Sequence, residues 1–156
     1  MAPTVPTDYG KGKGGHGSHQ EGHSQTGGWG AHYANDLKDL AGLGAERIVE
    51  IAEAVGKRLS SRDVNLKINQ IRRFLDEARQ IEAETKKEKG GFPADRIILL
   101  LPKLAYAAGR EGKIKDLMTV LDPAIRSASR SKDNFHKFLR LIEGIVAYHR
   151  FYGGTN

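Results

Sequence analysis

Apolar residues recur at helical spacing along most of this chain, and no segment alternates apolar and polar residues long enough to predict a β-strand. Side chains three, four and seven positions apart share one face of a helix. Two such stripes occupy the first half of the patterned region. The first, broken near its start by Gly42 and Gly44, is Leu37, Leu40, Ile48, Ile51, Val55 and Leu59. The second lies between Val64 and about Lys87 and is Ile68, Ile71, Leu75, Ala78 and Ile81.

Glycines, prolines and capping residues divide the rest of the chain into further helices. Gly90, Gly91 and Pro93 predict the end of the second helix, and Asp95 predicts the start of a third. A fourth stripe begins at Ile114 and continues through Leu117, Met118 and Leu121.

Asp122-Pro123 then predicts a restart as a short helix, with Asp122 as N-cap. Ser131 is predicted to cap the last helix, which Gly153 and Gly154 end. The sequence thus predicts an all-α fold, a small bundle of about five helices.

The N-terminal segment has a different composition. Residues 1–30 contain 9 of the 19 glycines and almost no aliphatic residues, too few to offset the entropy lost on ordering. We predict a disordered low-complexity tail at 1–33 and a helical-bundle domain at 34–154. Within the tail, His16, His19 and His23 have a spacing that suits zinc or nickel. A polar tail that binds nothing specific is the favoured interpretation, so we predict no metal and no cofactor.

Composition excludes several functional classes. The chain has 156 residues and no cysteine, which rules out disulfides and thiolate chemistry. No apolar run reaches the length of a membrane span, and no secretory signal is visible, so a cytoplasmic protein without a membrane partner is expected. Its formal net charge is +6, and residues 97–156 hold ten Lys and Arg against five Asp and Glu. That asymmetry suits either a polyanionic partner or a merely soluble surface.

The segment LPKLAYAAGR, residues 101–110, concentrates this charge without any acidic residue. On a helix, Lys103, Tyr106 and Arg110 share one face. Cations with an interleaved aromatic and no base-reading signature suit a phosphate backbone. The alternative is that Tyr106 is a core residue merely flanked by cations. Pro102 either kinks the helix from its interior or begins a new one.

Few side chains of the sequence could act together as catalytic groups. His136 and His149 are the best acid–base candidates, but on one helix they would lie about 20 Å apart. The phosphate-binding, dinucleotide-binding and zinc-protease motifs do not occur. We therefore predict that the protein is not an enzyme.

Three motifs point to a known family. PKLAYAAGREGKIKDL, IEGIVAYHRFYGG and QIRRFL occur within residues 64–154. Taken in chain order, with QIRRFL first, they resemble the small subunit of type III-A CRISPR–Cas effector complexes, the Csm small-subunit family. The resemblance implies an all-helical antiviral-defence subunit without an active site. Gln70 departs from a lysine common in the family, and neither the tail nor residues 45–59 has a clear counterpart.

The resemblance also implies partners. Copies of the subunit stack as an inner filament beside the other subunits of the complex, along the duplex of guide RNA and target RNA. Lys103 and Arg110 would be unpaired within the chain because RNA phosphates serve as their counter-ions. Leu100, Leu101, Leu104, Ala105 and Ala108 would pack the bundle. The candidate RNA-binding residues are Arg72, Arg73, Lys103, Arg110, Arg126, Arg130 and Arg150.

Two other classes compete with this interpretation. One is a free-standing basic helical nucleic-acid-binding protein. The other is a nuclease that uses His136, His149 or a bound metal, which the lack of a converging acid cluster disfavours.

Overall fold

A computed structural model describes residues 28–87 and 90–156 of the chain. Within them it contains α-helices and two short 3₁₀ helices and no β-strand, which confirms the all-α prediction. The α-helices are α1 (Ala31–Leu37), α2 (Ala45–Ser60), α3 (Ile68–Lys87), α4 (Ala94–Ile98), α5 (Leu100–Arg110), α6 (Lys115–Ala128) and α7 (Lys132–Phe151). The 3₁₀ helices are Leu40–Gly42 and Gly112–Ile114.

The crossing of α2 and α7 is the most extensive contact between two helices of the bundle. Small residues make this approach close. A Cβ placed on Gly56 would lie 2.7 Å from the backbone nitrogen of His149, and one on Gly144 would lie 2.7 Å from the Cβ of Ala52. The stripe predicted for α2 faces this contact, since Ile48, Ile51, Val55 and Leu59 are all buried.

The start of the helical region lies earlier than the predicted boundary between tail and bundle. Helix α1 begins at Ala31 and packs on α6. Trp29 is half-buried against the core, and the Arg58 guanidinium lies 5.8 Å from the centre of its ring. The predicted disordered tail, with His16, His19 and His23, otherwise lies outside the described residues.

The predicted third helix differs from the structure near Pro102. The third helix, predicted as one, is split at Leu99 into α4 and α5, and Pro102 lies in the first turn of α5. There its missing N–H removes no intrahelical hydrogen bond.

The predicted restart at Asp122-Pro123 is wrong, because α6 continues through Pro123. Buried apolar residues on both sides, Val120 and Leu121 before and Ala124 and Ile125 after, outweigh the cost of about 3 kcal/mol for an interior proline.

Both predicted ends of the last helix are confirmed. The Ser131 hydroxyl accepts a hydrogen bond from the backbone N–H of Asn134 at 3.1 Å. At the other end Gly153 has φ of +87°, and the Gly154 N–H donates to the His149 carbonyl at 2.8 Å. These two features form the glycine-dependent cap that satisfies the last carbonyls of a helix.

A buried polar cluster connects the 3₁₀ helix Leu40–Gly42 to α6 and α7. The Ser127 hydroxyl accepts a hydrogen bond from the Leu40 N–H at 2.9 Å, and the Asn134 amide donates to the Ser127 carbonyl at 3.0 Å. Among the described residues, no helix combines the length and apolar character needed to cross a membrane.

Candidate nucleic-acid interface

The polar faces of α3 and α5 border a surface groove. Helix α3 packs mainly on α7 and α5 mainly on α6, which leaves these two helices without extensive contact with each other. Their apolar stripes fix which side chains point outward. Burial of Ile71, Phe74 and Ala78 leaves Arg73 exposed on α3, and burial of Leu104 leaves Lys103 exposed on α5.

The row predicted on α5 is an exposed surface. Tyr106 has 69% of its surface exposed, so the alternative that it is a core residue is wrong. The Arg110 guanidinium lies 5.7 Å from the centre of the Tyr106 ring, within the range of a cation–π contact. On the packing side Leu100, Leu104 and Ala108 are buried as predicted.

Two expected packing residues of α5 differ from the prediction. Ala105 is exposed and Leu101 only half-buried. The buried stripe of α5 therefore has a single residue per turn, because α5 rests chiefly on one neighbour, α6.

Two adjoining grooves meet at Tyr106, and we refer to them together as the Tyr106 groove. On the Arg110 side the lining residues are Gln70, Arg73, Tyr106, Ala107, Arg110 and Glu111. On the Lys103 side they are Arg73, Phe74, Glu77, Pro102, Lys103, Tyr106 and Ala107. Arg73, Tyr106 and Ala107 belong to both, so the surface is continuous across the tyrosine. Three cations and two carboxylates therefore line it.

Lys103 is not unpaired, contrary to the prediction. Its Nζ lies 2.6 Å from Oε2 of Glu77 on α3. The partner is 26 positions away in sequence, so no local spacing could indicate it. The local pairs Arg72–Asp76 and Arg73–Glu77, which i, i+4 spacing on α3 would allow, do not form within the described residues. Arg110 makes no ion pair with a carboxylate within the described residues.

The other candidate RNA-binding residues lie apart from the Tyr106 groove. Arg72 lines a separate depression between α3 and α7, beside Arg79 and Glu143. Arg126 pairs with Asp122 at 2.8 Å on α6. Arg130 and Arg150 donate to the carbonyl oxygens of Lys38 and Gly154, each at 3.3 Å.

Two further basic groups of the last helix also have partners. Lys137 donates to the carbonyls of Leu40 and Ala41 at 2.9 and 3.0 Å. Arg140 pairs with Glu143 at 2.9 Å.

The two candidate catalytic histidines have different surroundings. His149 is fully buried, and its Nε2–H donates to the Leu66 carbonyl at 2.6 Å. Burial lowers the pKa of His149, the bond to Leu66 opposes that shift, and the charge of Arg150 adds to it. His136 is half-exposed, with Nε2 4.0 Å from Glu82. In the described ranges, no group of three or more His, Asp or Glu side chains is arranged to hold a metal ion.

Three residues of the groove were not identified as site residues from the sequence. Glu77 and Phe74 enter through the packing of α3, and Glu111 enters because α5 ends at Arg110. The segment QIRRFL did place Arg73 close to Phe74, but nothing in it indicates that both face Tyr106. That relation depends on how α3 and α5 are positioned by their separate neighbours.

Comparison with known proteins identifies the class. A family model described as Csm2 Type III-A matches residues 43–155. A similar curated protein is the "CRISPR system Cms protein Csm2" of Streptococcus thermophilus, 29% identical over 115 residues that cover 72% of this chain and 90% of the relative. No solved structure matches the chain significantly.

The protein is thus a small subunit of a type III-A CRISPR effector complex, as its motifs suggested. It belongs to the Csm2 family of type III-A systems. The match begins at residue 43 and includes α2, so the family resemblance extends further toward the N-terminus than the motifs alone indicated.

Proposed function

We propose that this chain is a non-catalytic RNA-binding subunit that stacks with further copies of itself as an inner filament of the effector complex. It contacts the backbone of the guide–target RNA duplex without sequence specificity. Arg73, Lys103 and Arg110, on the walls of the Tyr106 groove, make the principal contacts. Arg72, Arg126, Arg130 and Arg150 are candidates for additional contacts with RNA on other surfaces.

The observation that carries this proposal is the exposed cationic face shared by α3 and α5. Arg73 and Arg110 are exposed and make no ion pair with any carboxylate in the described ranges. Guanidinium groups suit phosphate recognition because their planar forks donate paired hydrogen bonds. Contacts to phosphates position a protein on RNA and carry no sequence information, as a subunit serving many guides requires.

Weak binding by a single copy is consistent with the charges present. Glu77 and Glu111 oppose the three cations of the groove, and Glu77 already neutralises Lys103. An exposed ion pair contributes only about 0–1 kcal/mol, so a phosphate can compete for Lys103. Copies held side by side in an assembly gain affinity through effective concentration. RNA binding is therefore expected to be strong only in the filament.

The absence of catalysis is part of the proposal. His149 is buried with its ring against the protein interior, and His136 lies far along the same helix at its exposed side. An acid–base pair must reach the same reacting atom within hydrogen-bonding distance. No such convergence occurs among the described residues, and chemistry in the complex would fall to other subunits.

Salt dependence of RNA binding tests the proposal. Arg73→Ala, Lys103→Ala and Arg110→Ala should each reduce the slope of log K against log salt by about 0.7–0.9. Arg62→Ala, at an exposed position outside the Tyr106 groove, is the matched control for loss of one charge. Unchanged slopes for all three groove variants would contradict the proposed binding site. RNA hydrolysis that co-purifies with the protein and is lost in His136→Ala would contradict the non-catalytic role.

A further inference from the structure

The aromatic ring of Tyr106 is exposed, although a contact with phosphates does not use an aromatic face. Its side chain stands 69% exposed between the two halves of the groove. Arg110 lies against the ring from the C-terminal side of α5. The Lys103 side is bounded by Phe74, Pro102 and Ala107, which present carbon atoms. An apolar slot, flanked by Arg73, Glu77 and Lys103, thus lies beside the aromatic ring.

We propose that this slot binds one unpaired nucleobase of RNA, which stacks on the face of Tyr106 opposite Arg110. The inference rests on the proposed RNA-binding function and adds a base-stacking site to it. Stacking on an aromatic ring tolerates any base, because every base has a π-face. The site therefore remains compatible with guides of any sequence.

The polar groups around the slot fit a nucleotide and not only a base. Arg73 borders both halves of the groove and can hold the phosphate on either side of the stacked base. Lys103 and Glu77 lie at the rim of the slot as a 2.6 Å ion pair. The ammonium group of Lys103 can donate to a phosphate of the bound nucleotide. The base and the phosphate of a nucleotide thus each have a partner of matching chemistry.

The modest net charge of the groove also favours stacking as a source of affinity. With three cations opposed by two carboxylates, electrostatic attraction alone is limited. Cation–π contact with Arg110 fixes the tyrosine ring in place and adds positive charge behind it. A ring held in this way loses little side-chain entropy when a base stacks on it.

The test compares RNA molecules of equal charge that differ in available bases. A single-stranded oligonucleotide and the same oligonucleotide with abasic ribose at its internal positions are titrated with the full-length protein. The wild-type protein should bind the abasic strand about 5- to 150-fold more weakly than the intact strand, the range expected for one stacked base. Equal affinity for the two strands would overturn the proposal, and this arm needs no variant.

Substitutions then assign the effect to the tyrosine. Tyr106→Ala should lower affinity for the intact strand by a similar factor without changing the salt slope, because no charge is removed. Tyr106→Phe should restore binding to within about twofold, since the ring alone stacks. If Tyr106→Ala binds normally while Arg73→Ala still reduces the slope, the stacking site is wrong and the backbone-binding function stands. If neither variant changes binding, both proposals fail. Impaired filament assembly with normal RNA binding would reveal a protein contact instead.

Discussion

The Nζ of Lys103 lies 2.6 Å from Oε2 of Glu77, so that an ion pair connects α5 to α3 across the Tyr106 groove. The lysine side chain is 60% exposed and the glutamate 34%. Water and salt therefore screen the pair, and it contributes at most about 1 kcal/mol to stability. In the proposed RNA-binding site, Glu77 would compete with a phosphate for the lysine.

Glu77→Gln should consequently strengthen RNA binding. The substitution removes one negative charge and leaves Lys103 free for phosphate, so both the affinity at low salt and the salt slope should increase. Unfolding free energy should change by less than about 1 kcal/mol. Glu50→Gln is the matched control, since Glu50 pairs with Arg47 on α2 at 3.0 Å, away from the groove. Weaker RNA binding by Glu77→Gln than by Glu50→Gln would show that the carboxylate itself contacts the ligand.

Two N-terminal truncations should show which residues before α1 contribute to thermal stability. A chain that begins at Gly28 should keep the thermal midpoint of the full protein. One that begins at Ala31 loses the half-buried Trp29 and its contact with Arg58, and should unfold several degrees lower. Circular dichroism melts of the two shortened chains beside the full protein make the comparison. Identical midpoints would show that Trp29 contributes nothing to the bundle.

Local patterns predicted the helices well because apolar spacing and caps are properties of neighbouring residues. The stripe in α2, the Ser131 cap and the terminal glycines were all found where predicted. Pro123 was misinterpreted for a related reason. Local propensity favours a helix break there, but the buried residues on both sides belong to one packed face, and tertiary packing decides the outcome.

The candidate site was predictable only where a single helix defines it. The exposed row of Lys103, Tyr106 and Arg110 follows from α5 alone. Pairing of Lys103 with Glu77 depends on how α3 and α5 are placed, which no local spacing records. The same limit applies to Lys137, which donates to the carbonyls of Leu40 and Ala41, 97 and 96 positions away in sequence.

Glycine substitutions should show that the α2–α7 contact is closely packed and that the exposed side of α5 is not. Gly56→Ala places a methyl group 2.7 Å from the His149 nitrogen and 2.9 Å from the Ile145 carbonyl, and backbone atoms cannot move aside easily. We expect a loss of about 1–3 kcal/mol in unfolding free energy. Gly109→Ala is the control on α5, where the new methyl meets nothing within 4 Å. It should stabilise the protein by about 0.4–1 kcal/mol. Urea unfolding of both variants measures these changes, and a stable Gly56→Ala protein would mean that the helices can separate without cost.

His149 should make the stability of the protein depend on pH. The imidazole is buried and donates through Nε2 to the Leu66 carbonyl, while Nδ1 has no hydrogen-bond partner among the described residues. Burial lowers the pKa of His149 below its ordinary value of 6.5. The unfolded chain therefore binds a proton more readily than the native protein in the range just below that value. Unfolding free energy should be greatest above about pH 6.5 and fall as the pH decreases through the native pKa, by at most about 1.4 kcal/mol per pH unit.

His149→Gln should remove this dependence. Glutamine can donate to the Leu66 carbonyl but does not titrate, so the variant should show a flatter profile between about pH 7 and pH 5 whatever its absolute stability. His32→Gln, at an exposed position on α1, is the control and should keep the wild-type profile. The measurement is urea unfolding at several pH values for all three proteins. A wild-type protein whose stability rises on acidification, or a His149→Gln variant with an unchanged profile, would show that the buried imidazole does not govern the response.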